Sequence, residues 1–148
     1  MNIEIGSSGR KLVFWGAILF LFGLLQGALI PYFINPRMAL SAHLAAVQSG
    51  MALMIFGLIW GALVLEEKWL KVAYYSSIAS MYLVWLAITL AALLGTGKAL
   101  PMAGKGFSST HLNETVVELL VYVGASFGVI SIAVIVFGLY RGLIKSST

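Results

Sequence analysis

Four stretches of mainly apolar residues, 12–33, 43–65, 72–94 and 115–144, dominate the 148-residue sequence. Each reaches the roughly 20 residues that a helix needs to cross the hydrocarbon layer of a bilayer. Water is absent there, so a segment of this kind must satisfy its own peptide groups, which a helix does. The expected fold is an all-α integral membrane protein: a four-transmembrane-helix bundle, one domain over residues 1–148, with an irregular loop at 95–113. Composition agrees, since 61% of residues are hydrophobic and 9% charged, against about a quarter charged in a soluble domain.

Charge and turn residues mark the ends of the spans. Arg10 and Lys11 precede the first, Asn35-Pro36-Arg37 follows it, Glu66-Glu67-Lys68 closes the second and Gly95-Thr96-Gly97-Lys98 the third. The first run is longer than the roughly 7–15 residues of a signal-peptide core and reads as an anchor. Arg10, Lys11, Lys68, Lys71, Arg141 and Lys145 fall on one side, against Arg37, Lys98 and Lys105 on the other. That bias predicts cytoplasmic termini and places the first and third loops outside. The net charge of +4 is scattered over span ends, and no basic run interleaved with aromatics offers a nucleic-acid surface. The chain has no cysteine, which excludes disulfides, thiolate metal sites, covalent haem attachment and a cysteine nucleophile.

Four small-residue pairs predict close helix packing: Gly23 with Gly27, Gly57 with Gly61, Gly124 with Gly128, and Gly138 with Gly142. Strongly polar side chains at membrane depth are few, and such groups are candidates for function. His43 is the foremost, because a neutral imidazole ligates iron and other metals. At helical spacing it shares a face with Val47, Gly50, Met54, Gly57 and Gly61, a stripe that admits either a flat macrocycle or another helix. A histidine bonded between helices is the plainer alternative. No further His, Asp or Glu stands at ligand spacing, so a bare zinc site is not expected. Tyr75, Tyr82, Trp85 and Thr89 share one face of the third span, as an aromatic wall for a ring or as ordinary packing. Glu118, one turn after Glu114, is either a proton carrier or the partner of Lys98, Lys105 or Arg37. Gln26 and Gln48 are expected to hydrogen-bond across helices. No phosphate-binding loop, dinucleotide fingerprint, Ser-His-Asp set or zinc-protease motif occurs.

The run Asn35-Pro36-Arg37-Met38-Ala39-Leu40-Ser41-Ala42-His43-Leu44 resembles the signature of the hydroxylaminobenzene mutases. The likeness continues through Gly50, Gly57-Leu58-Ile59-Trp60, Gly97-Lys98, Pro101-Met102-Ala103-Gly104, Gly138 and Gly142. More distantly the chain is similar to the styrene oxide isomerases. The resemblance implies a homotrimer in a bacterial inner membrane and an aromatic substrate, an arylhydroxylamine converted to a 2-aminophenol. It also implies haem b with His43 as axial ligand, and Arg37, Gly50 and Met54 as further cofactor-binding residues. Ferric iron would act as a Lewis acid on the N–O bond, with four apolar helices keeping solvent out. Tyr82 and Trp85 would clamp the ring, while Ser49, Gln48 or Glu118 would bond the nitrogen and move a proton. Two positions depart from the family pattern: Ser49 stands where Asn is usual, and Tyr82-Leu83-Val84-Trp85 lacks the Asn of Tyr-Ala-Asn-Trp. An epoxide isomerase, a small transporter and a cytochrome-like anchor subunit are the alternatives.

Overall fold

The computed structural model describes residues 6–146. Residues 1–5 and 147–148, included in the domain expected over 1–148, lie outside the described residues. Four helices follow one another: α1, Ser7–Leu29, with a tight turn Ile30–Tyr32; α2, Pro36–Ile59, with a tight turn Trp60–Ala62; α3, Glu67–Leu94; and α4, His111–Ser146. All four are long and apolar enough to cross a membrane, and no strand occurs among the described residues. The chain is an all-α integral membrane protein.

Every helix starts before the apolar run that announced it, because capping rather than hydrophobicity decides where a helix begins. The clearest case is α2, expected from 43 and observed from Pro36. The Asn35 side chain accepts the Met38 N–H at 3.0 Å, and Pro36 occupies the first helical position, where no N–H is needed. His43 therefore sits two turns inside the helix rather than at its mouth, about 10 Å along the axis at 1.5 Å per residue. At the far end of α3, Gly95 takes a left-handed conformation, φ 64°, that lets the chain leave the helix. Thr110 caps α4, its hydroxyl accepting the Asn113 N–H at 3.3 Å.

The helices pack as two antiparallel hairpins, α1 on α2 and α3 on α4, joined mainly where α2 meets α3. The backbone of α4 stays more than 8 Å, Cα to Cα, from α1 and α2. The tightest seam is α1 against α2. Gly9, Gly16 and Gly23 recur every seven residues on α1, and His43, Gly50 and Gly57 do so on α2. A Cβ on Gly16 would lie 2.6 Å from the Gly50 carbonyl oxygen, one on Gly50 2.7 Å from that of Gly16, and one on Gly57 2.5 Å from that of Gly9. Only glycine permits this approach. The stripe on α2 thus receives another helix, α1, along Gly50 and Gly57. Around it a core forms from Leu12, Leu19, Ala46, Leu53 and Trp60.

The expected glycine pairs divide accordingly. Gly124 meets Val84 and Gly128 meets Ser80 on α3, while Gly138 and Gly142 meet Leu65 and Ala62 in the turn after α2. Gly61 has nothing within 4 Å. A buried hydroxyl pair, Ser77 and Ser131, ties α3 to α4 at 2.5 Å.

The 95–110 loop is folded onto the start of α2 rather than loose. Asn35 Nδ2 donates to the Ala103 carbonyl at 3.0 Å, and the Asn35 N–H donates to that of Ala92 at 3.1 Å. Arg37 reaches the Met102 carbonyl at 3.5 Å. Within the loop Gly97 and Gly104 are in backbone contact, and a Cβ on Gly104 would lie 2.4 Å from the Gly97 Cα. The Glu114 carboxylate then accepts three backbone N–H groups, from Gly97, Lys98 and Ser109, at 3.0–3.1 Å. The two segments that carry much of the sequence signature, around Asn35 and around Ala103, therefore meet in space.

The glycine seam gives a direct stability test. Gly50→Ala is expected to cost about 1–3 kcal/mol through overpacking against backbone, read as a lowered thermal midpoint in detergent. Gly61→Ala, with open space around it, should leave that midpoint unchanged.

Candidate active site

In the antiparallel register that pairs Gly9 with Gly57 and Gly16 with Gly50, the next position on the α2 line is His43, opposite Gly23. The imidazole lies against Gly27, whose missing side chain leaves room for the ring. Its Nδ1 lies 2.7 Å from the Gly23 carbonyl oxygen, and a Cβ on Gly27 would come within 2.9 Å of the same nitrogen. A carbonyl can only accept, so Nδ1 must donate its proton. In the neutral ring the lone pair then belongs to Nε2. This is the arrangement in which metal-ligating histidines are held: one nitrogen oriented by a backbone acceptor, the other free to bind.

The donor set around His43 suits a metal carried within a larger group. Among the described residues no three His, Cys, Asp or Glu side chains stand close enough to hold a bare metal ion. A single directed imidazole would suffice to hold a macrocycle that brings its metal's other ligands with it. Gly50 and Met54 lie in the seam against Gly16 and Phe20, so their inner surface is already covered by α1. Arg37 is exposed and turned to the loop.

A second feature lies between α1 and α3. Trp85 stacks on Phe22, with centroids 5.6 Å apart and planes at 20°, and meets Tyr82 edge-on at 6.4 Å. The Trp85 indole N–H donates to Gln26 Oε1 at 2.7 Å, Gln26 Nε2 donates to Thr89 Oγ1 at 3.1 Å, and that hydroxyl donates to the Trp85 carbonyl at 2.8 Å. Tyr82 donates to the Trp15 carbonyl at 2.8 Å. Every polar tip of this wall is engaged, so the aromatic faces are held in fixed positions. Phe22, Trp85, Gln26 and Thr89 line an apolar groove of about 270 Å³ together with Leu25, Leu29 and Phe33, whereas Tyr82 does not line it. Tyr75, expected on the same wall, is exposed and pairs edge-on with Tyr74 instead.

The remaining candidates disperse. Ser49 is half-buried and Gln48 is exposed, on successive positions of α2 that point to different sides. Glu118 forms an ion pair with Lys98 at 2.6 Å, one of the partners its position suggested, and this carboxylate holds the Lys98 ammonium above its ordinary pKa. His43 borders the face of α1 that carries Gly23 and Gly27, whereas the groove borders the face with Phe22 and Gln26. The carbonyl of Gly23 and the anchoring of Trp85 by Gln26 were not foreseen from sequence. The seven-residue recurrence of Gly9, Gly16 and Gly23 against His43, Gly50 and Gly57 is the signal that predicts the first.

Four membrane-spanning helices with one oriented histidine between the first two define a small integral membrane protein, and residues 8–140 match the family described as styrene oxide isomerase. The chain belongs to that family. Among curated proteins it is 41% identical over 108 residues to the hydroxylaminobenzene mutase HabA of Ectopseudomonas oleovorans, covering 72% of this chain and 80% of that one. It is also 41% identical over 106 residues to HabB of the same organism, covering 71% of this chain and 65% of that one. No solved structure matches it significantly. The protein is an enzyme of the isomerase class, with mutases among its relatives.

If His43 is the working group, crowding it from α1 should damage activity while sparing the fold. Gly27→Ala is expected to lower turnover at least tenfold, since displacements of about 1 Å in a site cost up to about a hundredfold. Size-exclusion behaviour should be that of the unaltered protein.

Proposed function

We propose that this enzyme converts an N-arylhydroxylamine to the corresponding 2-aminophenol at a site centred on His43. The observation that carries the reading is the His43 Nδ1 to Gly23 carbonyl bond, which leaves Nε2 as a directed ligand inside an apolar bundle. Similarity to HabA and HabB supports the choice of substrate. The reaction moves one hydroxyl group: the N–O bond breaks, a C–O bond forms at the neighbouring ring carbon, and the ring proton lost there is balanced by one gained at nitrogen. No oxidant or reductant is consumed.

His43 would hold haem b through Nε2. When bound, haem b supplies a Lewis-acidic iron that weakens the N–O bond. The chain's own residues do the rest. The groove beside the Phe22–Trp85 stack receives the aromatic ring, and Tyr82, edge-on to Trp85, holds that indole in place. Ser49, on the same helix as His43 and six residues further along, is the candidate for relaying the proton lost from the ring carbon. The apolar helices exclude water, so the departing hydroxyl recombines at the adjacent carbon before solvent competes for the ring. Within one protomer His43 and the groove border different faces of α1, and the reading therefore includes a homo-oligomer, a trimer by resemblance, in which a neighbour completes the site. The chain sits in a bacterial inner membrane with both termini cytoplasmic, as the Lys and Arg distribution favours. The family match also favours a second reading, isomerisation of an aryl epoxide by the same His43 site.

Incubating the protein in lipid with phenylhydroxylamine in ¹⁸O-labelled water tests the proposal. The expected product is 2-aminophenol with unlabelled oxygen, and His43→Ala should lose the Soret absorption and at least a hundredfold of the rate. A haem-free His43→Ala protein with full activity, or solvent label in the product, would overturn it. Conversion of styrene oxide in preference to phenylhydroxylamine would select the second reading.

A further inference from the structure

The spans contain two glutamines, and the fold treats them oppositely. Gln26 is buried and uses both ends of its amide, accepting from Trp85 and donating to Thr89. Gln48 lies within one residue of the midpoint of the 27-residue span Pro36–Ala62. Its side chain is exposed and has no hydrogen-bond partner among the described residues. At that depth neither water nor headgroups are within reach, and lipid tails offer a carboxamide neither donor nor acceptor.

The residues around it form a pattern. Leu44, Gln48, Met51, Ile55 and Leu58 follow one another at alternating spacings of four and three, and all are exposed on one side of α2. That spacing marks one continuous side of the helix, and what sets this side apart is its polar residue: in a helix–helix seam a single polar residue fixes register and the number of chains. The opposite side of α2 is already taken by α1 and α3, so this face is not needed to build the protomer.

We infer that the α2 face centred on Gln48 packs against the same face of a second copy of this chain, with Gln48 side chains hydrogen-bonded to one another across the symmetry axis. A carboxamide carries both a donor and an acceptor, so copies gathered around a symmetry axis can each donate to one neighbour and accept from another. This uses only the homo-oligomer part of the functional reading and none of its chemistry.

The absence of cysteine makes the test clean. Gln48→Cys introduces one thiol, and oxidation in native membranes should yield a covalent dimer on a denaturing gel. Val129→Cys on the exposed surface of α4 should remain monomeric. Gln48→Leu should give an oligomer that dissociates at protein concentrations about tenfold higher in mild detergent, and Gln48→Asn should restore part of the loss. If Gln48 faced lipid, Gln48→Leu would instead raise thermal stability at unchanged mass, overturning the inference. An oligomer of native mass with no Gln48→Cys cross-link overturns it while leaving the homo-oligomer intact. A monomer by native mass spectrometry would overturn both. Activity lost with full assembly in Gln48→Leu would place Gln48 in the reaction site and likewise overturn it.

Discussion

The close approach of α1 and α2 at Gly16 and Gly50 fixes the register on which the rest of the protomer depends. Backbone meets backbone there, with each carbonyl oxygen only 2.6–2.7 Å from where the other residue's Cβ would be. Lipid supplies no hydrophobic drive toward helix association, so close packing of this kind must provide much of it. Once Gly16 and Gly50 are opposed, Gly9 falls opposite Gly57 and Gly23 opposite His43. A histidine in the third position is then enclosed between Gly23 and Gly27 and meets a carbonyl at 2.7 Å. Packing and the orientation of His43 are therefore set by one seven-residue repeat.

The residues that make the family recognisable divide between architecture and chemistry. Asn35, Pro36 and Arg37 start α2 and bind the 95–110 loop through the carbonyls of Met102 and Ala103. Gly97 and Gly104 let that loop fold on itself, and Glu114 gathers three of its N–H groups. His43, eight residues after the cap, spends Nδ1 on the Gly23 carbonyl and keeps Nε2 outside the fold's own hydrogen bonds. Fixing the cap fixes the rotation of α2 and with it the direction of the imidazole.

The number of helices was legible because four apolar runs of spanning length leave little choice. Their starts were less so: hydropathy sees side chains, while Asn35 and Thr110 begin α2 and α4 through hydrogen bonds. The i to i+4 glycine pairs pointed to tight packing, yet the closest contacts follow the seven-residue lines through Gly9 and Gly16, which a search for four-residue spacing passes over. His43 was found from type and depth alone. Its orientation was not, because the partner is a backbone carbonyl and no side-chain pattern encodes it. Tyr82, Trp85 and Thr89 fell on one face as helical spacing predicts, whereas Gln26, which locks them, lies on another helix. Gln48 was expected to bond across helices like Gln26, and within the protomer it does not.

The bundle acts as more than an anchor in this picture. Its apolar walls would hold a hydroxyl group beside an aromatic ring without letting water replace it, and its seam would present one nitrogen to a cofactor. Everything chemical rests on Nδ1 of His43 carrying the proton and Nε2 carrying the lone pair. The chain has two histidines, so ¹⁵N-histidine labelling of a His111→Ala protein reports on His43 alone. Solid-state NMR of the cofactor-free protein in lipid at neutral pH should show a protonated Nδ1 and a bare Nε2. A proton on Nε2 with a bare Nδ1 would contradict the geometry at Gly23 and remove His43 as an oriented ligand.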